Sequence, residues 1–167
     1  MLKFIKHNRN RILLVLLSPL ICILLLELAA RLKYTPVSVT NPGIFTYHPN
    51  KVYTLKKNFT GMFTDKTITT NSHGYRDDDF PIDKDHNEIR ILVLGDSVTF
   101  GDGVDANQTF TEILEYNLNE QFQKNSFQVI NTAVPGNGPM QEYYDLMEGI
   151  KLNPDLIILQ FTLNDLT

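Results

Sequence analysis

Cysteine is nearly absent from this sequence: Cys22 is the single one among 167 residues. One thiol cannot make a disulfide framework, a CxxC redox pair or a cysteine-based metal site. A basic surplus is missing as well. Fifteen Lys and Arg against 19 Asp and Glu leave a net charge of -4, which gives no support to nucleic-acid binding, because that needs a clustered basic face. Nucleotide-binding signatures are also lacking: there is no GxGxxG, and Gly101 and Gly103 are not followed by the GK[ST] of a phosphate loop. "DGVDAN" at 102–107 fails the acidic spacing of an EF-hand. No internal repeat or low-complexity tract occurs. No metal and no organic cofactor is implied.

Long apolar runs are few, but one lies near the start. "ILLVLLSPLICILLLELAA" runs from Ile12 to Ala30, about 28 Å as a helix, which matches the hydrocarbon thickness of a bilayer. Pro19 and Ser18 are tolerable in a membrane helix. Glu27 and Arg31 are one turn apart and can neutralise each other at the interface. Lys3, Lys6, Arg9 and Arg11 precede the run, against Arg31 and Lys33 after it. That bias places the N-terminus in the cytoplasm and the rest outside, as a single-pass anchor. Cleavage as a signal peptide is disfavoured, because Leu28 sits where a small residue is needed before Ala30. Ile21 before Cys22 argues likewise against lipoprotein processing.

Four segments are expected: a basic tail over 1–11, an anchor over 12–30, a lead-in over 31–88 and an α/β region over 89–167. "YTPVSVTNPGIFTYHPN" reads as extended chain with turns, and "KVYTLKKNFTGMFTDKTITT" as one or two short hairpins. "DDDFPIDKDHNE" reads as a solvated loop rather than a metal site, and Arg76 as an ion-paired structural residue with some chance of meeting an anionic substrate. Beyond residue 88, "EIRILVLGDS" is a strand covered on both faces. "TFTEILEYNLNEQFQ" is a helix with Phe110, Ile113, Leu114, Leu118 and Phe122 on one face, begun by a Thr109–Glu112 capping box. "FQVINTAV" is a second strand. "GPMQEYYDLMEGIKL" is a helix with Met140, Tyr143, Tyr144, Met147 and Ile150 on one side, and "DLIILQF" is a third buried strand. The alternation predicts right-handed crossovers and a parallel sheet with helices on both sides.

Chemistry in such sheets gathers at the carboxyl ends of the strands. The three strands end in "GDSVTFG", "NTAVPGNG" and "TLND", so Ser97, Gly136 and Asn164 are expected to converge. A hydroxyl can act as nucleophile, a main-chain N–H at glycine allows close approach, and a carboxamide can donate to a developing oxyanion. Together they suit acyl transfer through a tetrahedral intermediate.

In these blocks the sequence resembles the SGNH, or GDSL-type, hydrolases from about residue 89 onward. "GDSVTFG" is similar to the family's first block, "VPGNG" to its glycine block and "LND" to its asparagine block. "NSHGYRDDDF" is similar to a segment that often precedes the first block in membrane-anchored members. The resemblance implies a three-layer α/β/α sandwich with a flavodoxin-like parallel sheet. It implies Ser97 as nucleophile, with the N–H groups of Ser97 and Gly136 and the side chain of Asn164 as oxyanion hole. Gly95 and Asp96 would support the motif, Asp96 by shaping the turn.

One element of the family pattern is not found. The family takes its base from a histidine three residues after an aspartate, close to the end of the domain, whereas His7, His48, His73 and His86 all precede Ser97. His86, before the first strand, belongs at the opposite edge. A serine hydroxyl without a base is a weak nucleophile, and base loss costs on the order of a millionfold in turnover. The chain is therefore expected to be the N-terminal part of a longer protein, truncated after the third strand and inactive alone. The substrate is expected to be a small-molecule, glycan or lipid ester outside the cytoplasm, with O-acyl hydrolysis or transfer as the reaction. The competing expectation is a membrane-tethered, non-catalytic binding module or pseudoenzyme of the same fold.

Overall fold

The apolar segment forms one continuous helix, α1, over Leu2–Lys33, uninterrupted at Pro19. The computed structural model describes residues 2–33 and 43–163, and residues 1–41 form a unit separate from 42–167. Within α1 the stretch long and apolar enough to cross a membrane is Leu14–Leu32, with a mean hydropathy of 2.2. This is two residues beyond the expected 12–30. The expected pair near its end is formed, with Arg31 Nε donating to Glu27 Oε1 at 2.8 Å.

In the second unit, two hairpins come first. Strand β1 (Phe45–His48) pairs antiparallel with β2 (Val52–Leu55), and β3 (Thr60–Phe63) with β4 (Lys66–Thr69). Strands of this length need an outside surface to bury their apolar face. Here Ile44, Leu55 and Ile68 cluster with Phe100, Ala133 and Val134, joined by Phe45, Tyr53, Phe59 and Phe63. The hairpins are thus packed onto residues that follow the sheet's strands.

The sheet contains β5 (Glu88–Leu94), β6 (Ser126–Asn131) and β7 (Leu156–Leu159), all parallel, in the order β6–β5–β7. Helices α2 (Ser97–Phe100), α3 (Phe110–Gln121) and α4 (Pro139–Gly149) lie between them, with 3₁₀ turns at 106–108 and 150–152. Side chains of β5 alternate between two cores, as period two requires. Ile91 and Val93 pack with Val129 and with Leu114 and Leu118 of α3. Leu92 and Leu94 pack with Phe80, Ile130 and Leu152 and with Leu146 of α4. The architecture is α/β with a parallel sheet, as expected.

Several local expectations are corrected. In α3, Leu114 and Leu118 face the sheet, but Phe110, Ile113 and Phe122 are exposed and Thr111 is buried instead. The Thr109 cap forms, accepting from Glu112 N at 3.4 Å, but the reciprocal half of the box does not, since Thr109 N donates to Ala106 O. The preceding 3₁₀ turn has taken that donor. In α4 the apolar side faces outward: Met140, Tyr143, Met147 and Ile150 are exposed, while Glu142, Asp145 and Gly149 are buried. Two contacts decide this. Lys51 from the hairpin turn seeks the carboxylates of α4, and Gly149 allows close approach to β5, where a Cβ would lie 2.8 Å from Leu92 Cδ1. Strand β7 is not buried. Leu156, Ile157 and Leu159 are exposed, because β7 pairs on one side alone, with β5, among the described residues.

Arg90 fixes the amino-terminal rim. Fully buried, it donates to Glu88 Oε1 at 2.7 Å and to the carbonyls of Pro81, Ile82 and Leu152 at 2.9 Å. His86 lies exposed just ahead of β5, on this rim. Ser97 follows the other end of the strand.

Candidate active site

Strand β5 ends at Leu94, and the chain must turn at once into α2. Gly95 permits the turn because a Cβ there would stand 2.9 Å from Thr99 Cβ and 3.2 Å from Gln160 O. Asp96, the N-cap, is buried and accepts from Val98 N through Oδ1 at 3.0 Å. Ser97 is then the first helical residue and is half-buried. Gly101, at φ +83, closes the helix in the left-handed conformation.

The ends of the three strands are tied to one another. Asp96 Oδ2 accepts from Thr162 Oγ1 at 2.9 Å, and Thr99 Oγ1 donates to Gln160 Oε1 at 2.9 Å, joining the segments after β5 and β7. Thr132 donates to Val93 O through both N (3.0 Å) and Oγ1 (2.9 Å), and Asn131 Nδ2 donates to Thr99 O at 3.0 Å. These join the segments after β6 and β5. The parallel register and these bonds put the residues before Gly136, those around Ser97 and those up to 163 on one rim. Asn164 lies outside the described residues.

Gly136 is exposed and adopts φ +82, a left-handed conformation that favours glycine. Its neighbours Pro135 and Asn137 are buried. Among the described residues, neither the N–H of Ser97 nor that of Gly136 is taken by an internal hydrogen bond, and the Ser97 hydroxyl has no partner. Beside Ser97 runs a cleft of about 400 Å³ lined by Val98, Asp102, Val104, Gln108 and Phe110. The side chains needed for calcium are engaged elsewhere. Asp102 accepts from Thr64 Oγ1 at 2.9 Å and Asp105 from Lys66 Nζ at 3.1 Å. No cluster of three His, Cys, Asp or Glu side chains suited to a metal occurs among the described residues.

Two of the histidines, His48 and His73, are occupied. His48 Nε2 meets Glu148 Oε1 at 3.1 Å while its Nδ1 accepts from Asn50 N and Lys51 N. His73 Nε2 meets Phe80 O at 3.1 Å, with its ring stacked on Phe80 at 4.7 Å.

Arg76 is structural, as expected, but forms no ion pair among the described residues. It donates to the carbonyls of Phe100 (3.0 Å), Gly101 (2.6 Å) and Val104 (2.7 Å) and lies 5.0 Å over the Phe100 ring. Burial lowers its pKa, opposed by Asp102, Asp105 and Glu112. It therefore braces the loop behind α2. The acidic stretch is not simply solvated either. Asp77 accepts from Asn131 N at 3.1 Å, and burial, with Glu112 and Glu115 adding repulsion, pushes its pKa up to about 8.

Sequence reasoning missed the supports beneath the Gly136 loop: Lys51, Tyr53, Asn137 and Asp145. The acidic residues of α4 and a buried lysine in a polar turn carry no local signal of pairing. Their separation of 94 residues hides it.

No family model matches the chain, and no curated protein matches it. Among solved structures, the crystal structure of TesA is similar to it, with 23% identity and a TM-score of 0.41. The match covers 46% of this chain and 42% of the TesA chain, so the chain spans less than half the length of that protein. A likeness this slight bears on neither site nor activity.

Proposed function

We propose that the chain is a membrane-anchored serine ester hydrolase, or acyl transferase, of SGNH type, with α1 as the anchor, the N-terminus in the cytoplasm and the α/β unit outside. On this reading α3 and α4 are the outer layers of a three-layer α/β/α sandwich. The observation that carries it is the cross-linking of three strand ends around Ser97, with the N–H groups of Ser97 and Gly136 unengaged among the described residues. Ser97 Oγ attacks an ester carbonyl, and the oxygen that becomes negative takes hydrogen bonds from these two N–H groups and from Asn164. Preorganised neutral donors of this kind lower the barrier most where water is excluded. The substrate is an O-acyl or O-acetyl ester of a small molecule, glycan or lipid.

The attacking hydroxyl must lose its proton, and His48, His73 and His86 are engaged or on the other rim. The chain by itself is therefore expected to hydrolyse p-nitrophenyl acetate no faster than the Ser97→Ala variant. Ser97-dependent turnover by the chain alone would contradict this. The same engaged histidines favour a second reading, a tethered binding module with the fold but no chemistry. Added imidazole separates the two: it can stand in for a missing base, so Ser97-dependent turnover appears only on the first reading.

A further inference from the structure

We infer that hairpin β1–β2 is the positioning element for the Gly136 main-chain donor, through Tyr53 on one side of the loop and Lys51 on the other. Its catalytic meaning rests on the reading of Ser97 as nucleophile. The Tyr53 hydroxyl donates to Pro135 O at 3.1 Å. That carbonyl and the Gly136 N–H belong to one peptide plane, and no peptide bond among the described residues is cis. In a trans peptide the two groups point in opposite directions. A bond that fixes Pro135 O therefore aims the Gly136 N–H the other way, out of the hairpin. Tyr53 is itself held edge-on against Phe45, ring centroids 5.3 Å apart. Its hydroxyl passes so close over Gly136 that a Cβ there would lie 2.7 Å from it. A side chain at 136 would break the arrangement.

The other side of the loop is anchored by charge. Asn137, buried, donates through Nδ2 to Asp145 Oδ2 at 2.6 Å. Asp145 Oδ1 accepts from Lys51 Nζ at 2.8 Å, and Lys51 reaches Glu148 Oε2 at 2.6 Å. Lys51 and Asp145 are 3% and 4% exposed, so either one left alone would be a buried uncompensated charge. His48 completes the set. With Nδ1 accepting two main-chain N–H groups, the network assigns the proton to Nε2, which donates to Glu148. The loop between Val134 and Gly138 is thereby clamped at Pro135 and at Asn137, and Gly136 is the residue between.

The test uses the full chain in detergent micelles, labelled with ¹³C-proline and ¹⁵N-glycine. Only Pro42–Gly43 and Pro135–Gly136 then give coupled amide signals. In the native chain the Gly136 N–H should be as rigid as sheet amides, with an order parameter of about 0.85, and should fall below about 0.6 in Tyr53→Phe. Gly43 is the internal control and should not change. Tyr53→Phe removes one hydroxyl and keeps the ring, so the fold should survive; Lys51→Gln is the second variant. An unchanged Gly136 order parameter in Tyr53→Phe overturns the inference. Fluorophosphonate labelling of Ser97 with imidazole present is read on the same samples. Labelling slowed at least about tenfold in Tyr53→Phe supports the catalytic role, since one oxyanion donor is worth that much or more. Labelling at the native rate despite a loosened Gly136 overturns that role. Absence of Ser97 labelling in the native chain, with Gly136 loosened in the variant, leaves the clamp supported and removes the hydrolase reading instead.

Discussion

The carboxylate of Asp96 accepts a hydrogen bond from Thr162 Oγ1 at 2.9 Å, joining the residue before Ser97 to the segment after β7. Leaving a buried acceptor without its donor costs more than losing an exposed hydrogen bond. The bond fixes the third strand end against the first, where β7 has, among the described residues, one strand neighbour to hold it. Thr162→Val should therefore lower stability by about 1–2 kcal/mol. Urea unfolding of the detergent-solubilised chain reads this, and a change within error would mean that the strand ends are held by the sheet alone.

Two glycines close to Ser97 should respond very differently to alanine. At Gly95 a Cβ meets Thr99 and the Gln160 carbonyl, whereas at Gly103, φ +80, no atom lies within 4 Å. Gly103→Ala incurs only backbone strain, on the order of 1 kcal/mol. Gly95→Ala must also displace packed backbone and should cost at least about 2 kcal/mol more. Equal losses in thermal unfolding would contradict the packing described at the start of α2.

Arg76→Lys keeps the charge but loses the planar fork that reaches three carbonyls. The Phe100, Gly101 and Val104 oxygens would lose donors together, the first two of them on buried residues, at a cost of about 1–3 kcal/mol. Denaturant midpoints should shift accordingly. A silent substitution would show that the loop after α2 needs no brace.

Asp77 supplies a pH dependence with a definite sign. Its folded pKa of about 8 lies above the ordinary carboxyl value of 3.8. The folded state thus binds this proton more tightly than the unfolded chain. Its contribution is full below pH 3.8 and is lost as pH rises through 8, at a slope of at most about 1.4 kcal/mol per pH unit. Asp77→Asn keeps an acceptor for Asn131 N and removes the titration. The variant should match the native chain near pH 4 and exceed it in stability at pH 9. Parallel stability curves for the two would contradict the burial of this carboxylate.

What could be read in the sequence was what is local. The apolar runs of β5 and β6, the Gly95–Asp96–Ser97 turn and the Glu27–Arg31 pair each follow from residues a few positions apart. The inner face of α4 could not be read this way. Met140, Tyr143 and Met147 have the right spacing for a core, but Lys51, far away in the chain, draws Asp145 inward and turns them out. Tyr53 looked like one more strand residue in an alternating segment, and its bond to Pro135 depends on how the hairpin docks. Asp77 read as solvent-exposed because its neighbours are charged, yet the chain folds it against β6. Long-range polar contacts decided each of these cases, and they leave no periodic trace.

Mapping of the fluorophosphonate adduct by mass spectrometry, with imidazole present, tests the account most directly. Five serines are available, at positions 18, 38, 72, 97 and 126. The account predicts that modification concentrates on Ser97, rises with neutral imidazole and is lost in Ser97→Ala. Modification of Ser97 no faster than that of Ser72 or Ser126, at every imidazole concentration, would contradict it.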